Sequence, residues 1–211
     1  MRAFVPGLTR TAPAYFLAGI FWPFFWQLWR MIDSQVQDIT ATDAAPTTAL
    51  GKTLLALNNA HAQELSWLEP ERLQHLVGQA FMARRIGNLD AFLLAFDQDA
   101  DYDSPNFLWF RARYPRFVYV DRVVVASSAR GRGYARRLYD ELFAHAGGAG
   151  HERIFCEVNV SPPNPASDAL HAALGFVEVG SADVHGGSKT VRYLSRTLSQ
   201  AAVAGGSAST E

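Results

Sequence analysis

A strand, a glycine-bearing arginine loop and an amphipathic helix follow one another between Phe117 and Ala146. Phe117–Val125 is a run of aromatic and β-branched residues and reads as a buried strand. After a short linker comes Arg130-Gly131-Arg132-Gly133-Tyr134-Ala135. Then Ala135, Leu138, Tyr139, Leu142, Phe143 and Ala146 recur at helical spacing, with Arg136, Arg137, Asp140 and Glu141 on the other face. Free amides at a helix start, together with the positive end of its dipole, make a ready anion site. Gly131 and Gly133 let backbone approach a pyrophosphate that any Cβ would hold off. This is not a dinucleotide fingerprint, because the glycine spacing fails and no acidic ribose ligand stands about 20 residues on. Gly51-Lys52-Thr53 imitates the end of a P-loop, but Pro46 occupies the position that needs glycine.

Strands and helices alternate around this unit, which places the chain in the α/β class. Val36–Thr42 is a short strand candidate that ends in a helix-start signal, Thr42-Asp43-Ala44-Ala45-Pro46. Leucines at 50, 54, 55 and 57 mark a helix to about His61, and Glu69–Phe81 reads as a second. Met82–Ile86 and Ala91–Phe96 are strand candidates. Asp97–Ser104 holds aspartates at 97, 99, 101 and 103, but lacks the glycine and glutamate of a calcium loop. Phe107-Leu108-Trp109-Phe110 is read as a loop packed on the core or as a lid. Gly147-Gly148 ends the long helix. Arg153–Val160 is a strand, Asn164–Leu174 a helix, and Phe176–Ser181 with Thr190–Leu194 a terminal strand pair.

Composition narrows the class further. The chain has 211 residues, 49% hydrophobic and 18% charged, which fits one globular domain rather than a disordered chain. Nineteen basic and 20 acidic residues cancel to −1, which argues against nucleic-acid binding. The single cysteine, Cys156, excludes an internal disulfide and a cysteine-rich metal site. None of the six histidines pairs at HExxH spacing, so no metal is expected. Ala12–Trp29 is almost wholly apolar, but its two prolines and its tryptophans fit an interfacial segment better than a spanning helix. The preferred reading makes Met31 the start. Residues 1–30 are then an extension, membrane-associated or mis-assigned; 31–198 are the domain, and 199–211 a disordered tail. A cytoplasmic protein is expected, with membrane association through residues 12–29 as the alternative. Homodimer formation stays open.

The strand–loop–helix unit resembles the GNAT superfamily of N-acetyltransferases. Arg130, Gly133 and Ala135 fill that family's Arg/Gln-x-x-Gly-x-Gly/Ala signature. Asn164-Pro165-Ala166-Ser167, then Leu170-His171 and Leu174-Gly175-Phe176, is similar to its distal helix, which commonly carries a tyrosine seven residues after the asparagine. The resemblance implies a mixed, bent sheet of about six to seven strands flanked by helices, with its fourth and fifth strands splayed to admit acetyl-coenzyme A. Val123, Val124 and Val125 would meet the pantetheine arm. Amides from Arg130, Gly131, Arg132, Gly133, Tyr134 and Ala135 would hold the pyrophosphate, with Asn164 on the cofactor side. A small-molecule or peptide amine would enter from the opposite side and attack the thioester directly, its oxyanion met by a backbone N–H near Val125.

Three side chains are candidates for proton transfer. Asp121 lies where many family members carry a glutamate proposed as base; its structural alternative is pairing with Arg122 or Arg153. Glu157 shares a strand face with Phe155 and Asn159, and polar residues on a central strand point to a cleft. His171 takes the place of the family's tyrosine and is expected to protonate the leaving thiolate, or else to be a surface histidine. Cys156 points away from Glu157 by strand alternation and reads as core. The resemblance implies acetyl transfer to a primary amine. A non-catalytic acyl-coenzyme A sensor is the alternative, and the residues do not name the acceptor.

Overall fold

The computed structural model describes residues 35–187 and 189–198. The apolar N-terminal extension and the small-residue tail lie outside the described residues. In chain order come β1 (Val36–Asp38), α1 (Ala49–Asn59), α2 (Pro70–Gln79), β2 (Met82–Ile86), β3 (Ala91–Asp97) and α3 (Pro105–Arg111). They are followed by β4 (Val118–Val125), α4 (Tyr134–Gly148), β5 (Arg153–Ser161), α5 (Pro165–Ala173), β6 (Val177–Val184) and β7 (Lys189–Thr197). The strands form one seven-stranded sheet in the order β1-β2-β3-β4-β5-β7-β6. Every neighbouring pair is antiparallel except β4–β5, so the mixed sheet expected from the sequence is present.

Local chemistry explains where the helices start. Thr48 caps α1, its Oγ1 accepting from the Gly51 amide at 2.9 Å. Pro70, Pro105 and Pro165 each sit in a first helical turn, where the missing N–H costs nothing. The expected strand to Thr42 stops at Asp38, because Thr40 and Asp43 bond each other's amides and turn the chain. Phe107–Phe110 is neither loop nor lid: it lies in α3, and Phe107 and Phe110, one helical turn apart, are both buried in the core. Helix α4 runs through Gly147 and Gly148 and closes at Gly150, whose φ is +77°.

The two sheet faces bury separate cores. One gathers Leu54, Leu73, Leu76, Phe92, Phe107, Tyr119, Phe155 and Tyr193; the other gathers Leu93, Val118, Val120, Leu138, Tyr139, Leu142, Ile154 and Cys156. Two irregularities in β4 shape the space between them. Leu94 faces Arg122, whereas the next residue, Ala95, faces Val120, so Asp121 is an inserted bulge residue. The bulge shifts the alternation: Tyr119 before it and Val124 after it share one core, while Val123 and Val125 pack on the other side. Strands β4 and β5 pair only at Val118–Ile154 and Tyr119–Phe155. Beyond those positions the two strands part, which matches the expected splay.

Candidate active site

One end of the opening is the glycine loop. Gly131 and Gly133 have φ of +75° and +77°, a conformation that side-chain-bearing residues resist. A Cβ built on either meets nothing within 4 Å, so the space before them is open. Gly131, Gly133, Tyr134 and Ala135 line a cavity of about 970 Å³. The first-turn amides of α4 have no intrahelical acceptor, and the helix dipole adds positive potential there. Arg130 and Arg136 join the lining; Arg132 does not, and its Nη2 donates to the Ser128 carbonyl at 3.1 Å. Such a cradle suits an anionic group. Asn164, on the facing wall, caps α5 by accepting from the Ser167 amide at 3.2 Å.

The cavity continues between the parted strands along Val120–Val125 and Cys156–Asn159. Here the carboxyl of Glu157 is set deep in the protein. Tyr119 Oη donates to Oε2 at 2.7 Å and Asn106 Nδ2 to Oε1 at 2.9 Å. Tyr193 Oη donates to Asn106 Oδ1 at 3.1 Å, which fixes the amide with its NH₂ toward Glu157. Burial and the nearby Asp121 charge raise the Glu157 pKa to about 7, against the two donors and Lys189, which favour the carboxylate. A carboxyl poised near neutrality is suited to taking a proton.

Asp121 is committed elsewhere. Its Oδ1 accepts from Tyr102 Oη at 2.6 Å, and its Oδ2 is held by Arg122 Nε. Both side chains are nearly inaccessible, Arg122 at 2% and Asp121 at 6% exposure. Burial would lower the Arg122 pKa, but the Asp121 charge, Tyr102 and the hydrogen bonds to both together outweigh it and keep the guanidinium charged. Arg122 also bonds Asn58 and Ser66, tying the end of α1 and the segment after it to the bulge. The structural pairing read from the sequence is therefore the observed one. Arg122→Met should strand a buried carboxylate and cost about 3–5 kcal/mol, or roughly 10 °C in Tm. Asp121→Asn added to it should recover part of that loss. A thermal melt of Arg122→Met within about 2 °C of wild type would show that the pair is not a stabilising contact.

His171 is buried, at 2% exposure, rather than on the surface. Its Nδ1 lies 2.8 Å from the Ser167 carbonyl oxygen, and its Nε2 lies 2.7 Å from Tyr139 Oη. That carbonyl only accepts and lies nearer to Nδ1 than the Ser167 hydroxyl, which stands at 3.2 Å, so Nδ1 carries the proton and Nε2 accepts from the tyrosine. Burial holds the His171 pKa below the ordinary histidine value, partly opposed by Ser167 and Asp168, so the ring is neutral near pH 7. The acid expected at His171 thus has its ring N–H spent on Ser167 and no proton directed to the cleft.

The sequence profile of the acetyltransferase (GNAT) family matches residues 51–176, more than half of the chain. The chain belongs to the GNAT family. No curated protein matches it significantly by sequence. Among solved structures it is similar to the ribosomal-protein-S18-alanine N-acetyltransferase from Escherichia coli, with 16% identity and a TM-score of 0.55 over 81% of this chain and 97% of that one. Arabidopsis thaliana NAA60 in complex with acetyl-CoA gives 16% and 0.58 over 78% and 98%. Ard1 from Thermoplasma volcanium gives 11% and 0.60 over 79% and 99%. At these identities the likeness is one of fold. Among the described residues of this GNAT chain, no cluster of three His, Cys, Asp or Glu is placed to hold a metal ion, and no helix is long and apolar enough to cross a membrane.

The glycines before a helix start led to the loop, strand alternation to Glu157 and the spacing from Asn164 to His171, but none of these led to their partners. Asn106 stands between the aspartate-rich stretch and the Phe107–Phe110 stretch read as loop or lid, and it was not singled out. The Ser104-Pro105 pair, a helix-start signal, would have placed it in a first turn. Tyr119 is two residues from Asp121, and its contact with Glu157 depends on how β4 and β5 converge. Tyr139 carried no signal, since a tyrosine on an apolar helical stripe looks like core.

Proposed function

We propose that this GNAT chain transfers the acetyl group of acetyl-coenzyme A to a primary amine by direct attack on the thioester. The observation that carries this reading is one continuous cavity, which joins the glycine loop to Glu157 through the gap between β4 and β5. The loop fits the co-substrate's pyrophosphate: open space faces two glycines at the positive end of α4. Residues 120–125 of β4 lack β5 as a hydrogen-bonding neighbour, so their gap-facing N–H and C=O groups are available to an amide-bearing arm. The N–H near Val125 is assigned to the oxyanion that forms on attack.

The acceptor enters from the face that carries Tyr102, Asn106 and Lys189. A lysine-like amine has a pKa of about 10.4 and arrives almost wholly protonated at pH 7. Glu157 is the group assigned to take the proton, directly or through one water. Asp121 serves the fold, since both of its oxygens are engaged. Mixing the protein with acetyl-coenzyme A and a panel of small and peptide primary amines tests this. Amine-dependent release of free thiol is expected. Tight binding of acetyl-coenzyme A with no thiol release for any amine would favour the sensor reading instead.

A further inference from the structure

We propose that the Tyr139 hydroxyl is the proton donor to the departing thiolate and that His171 is the positioning residue that aims it. This rests on the acetyl-transfer reading above. The two residues come from different helices, α4 and α5, and meet on the cavity wall on the core side of the splay, beside Cys156 and Leu170. Their rings stand edge to face, with centroids 5.5 Å apart at 86°, and Phe176 packs against both.

The hydrogen-bond directions decide which of the two is the donor. Ser167 takes the only ring proton of neutral His171, which leaves Nε2 as a lone pair 2.7 Å from Tyr139 Oη. Burial pushes the Tyr139 hydroxyl pKa well above its ordinary value, so the phenol stays protonated and carries the one transferable proton of the pair. A neutral imidazole holds that proton by a bond of ordinary strength. An anionic sulfur is the stronger acceptor, because hydrogen bonds to ionised groups are about twice as strong. The groups facing Tyr139 are Cys156 and Glu157 from β5, with His171 and, behind it, Asp168 from α5. Burial pushes the Cys156 thiol up, so it stays protonated and does not compete as an anion. A histidine where the related enzymes commonly have tyrosine thus has a tyrosine hydroxyl brought to it from the neighbouring helix.

In balance, the amine nitrogen forms the new C–N bond and the C–S bond breaks with its electron pair on sulfur. The phenolic proton of Tyr139 moves to that sulfur and yields the thiol. The proton shed by the amine leaves through Glu157 to solvent, and the phenolate regains one from solvent.

A test that needs no acceptor is the titration of coenzyme A bound to the full chain, read by thiolate ultraviolet absorbance. A donor at the sulfur stabilises the thiolate, so the bound thiol should titrate about one pH unit lower in wild type than in Tyr139→Phe. His171→Phe, which keeps the hydroxyl but not its aim, should fall between them. It also provides the reading if Tyr139→Phe does not fold. The exchange Tyr139→Phe with His171→Tyr should restore the lower value, which a purely structural role would not do. In turnover, Tyr139→Phe should lower kcat about 10²-fold with unchanged affinity for acetyl-coenzyme A. A thiol titration identical in wild type, Tyr139→Phe and His171→Phe overturns the donor assignment and leaves acetyl transfer standing. A titration that responds to Tyr139, in a protein that acetylates no amine, supports the donor and counts against the acceptor reading.

Discussion

Calorimetry of Gly133→Glu is expected to show no acetyl-coenzyme A binding in a protein that remains folded. Gly133 precedes the first helical residue of α4, and its φ of +77° is used by the loop rather than by the helix. A residue with a side chain costs about 1–2 kcal/mol there, which a domain of ordinary stability survives. The new side chain starts in open space rather than against protein, because a Cβ at this position has nothing within 4 Å. It extends into the cradle instead. A carboxylate about 4 Å from a phosphate repels it by about 4 kcal/mol at an effective dielectric near 20, roughly a thousandfold in affinity. Gly133→Ala separates strain from charge and should weaken binding only about tenfold, the worth of one lost hydrogen bond. Unchanged affinity in a folded Gly133→Glu protein would move the anion site away from this loop.

Glu157→Gln is expected to lower kcat/KM about 10³-fold near neutral pH, close to 4 kcal/mol of barrier. The acting form of a base is the carboxylate, so wild-type kcat/KM should rise with pH through about 7, the value that burial and Asp121 impose on Glu157. In the glutamine variant that limb should vanish and leave a low, flatter profile. Stability carries the opposite sign. A carboxyl whose folded pKa lies above its unfolded value favours folding most while protonated. That contribution is lost as pH rises through about 7. Relative to wild type, Glu157→Gln should therefore gain stability between about pH 4 and pH 8, although Tyr119 or Asn106 loses an acceptor. A variant that retained the limb near pH 7 would assign the base to another group.

Much of the fold was legible because its signals are local. The start of α5 followed from Asn164 and Pro165, and the strands followed from β-branched runs. The anion cradle was legible for the same reason, since Gly131 and Gly133 advertise left-handed backbone within a few residues of a helix start. What could not be read depends on contacts between distant segments. Asp121 looked like a base until β3 pairing made it a bulge residue, bonded to Tyr102 across 19 positions. Glu157 was singled out as a polar residue on an inner strand, but its donors come from β4 and α3. His171 was read as an acid because its spacing from Asn164 matches a family tyrosine. Its tautomer is set by Ser167 and by Tyr139, 32 residues away. Spacing along one helix places a ring, and only packing against the next helix says which nitrogen holds the proton.

The most direct test of transfer through this cavity is to follow the acetyl group itself. Protein, acetyl-coenzyme A and an accepted amine would be mixed and quenched at intervals, and all species weighed by mass spectrometry. Direct attack predicts one acetylated amine for each thiol released, with the intact protein mass unchanged at every time point. An acetylated protein that forms and decays fast enough to lie on the path would contradict it, as would thiol release without an acetylated amine.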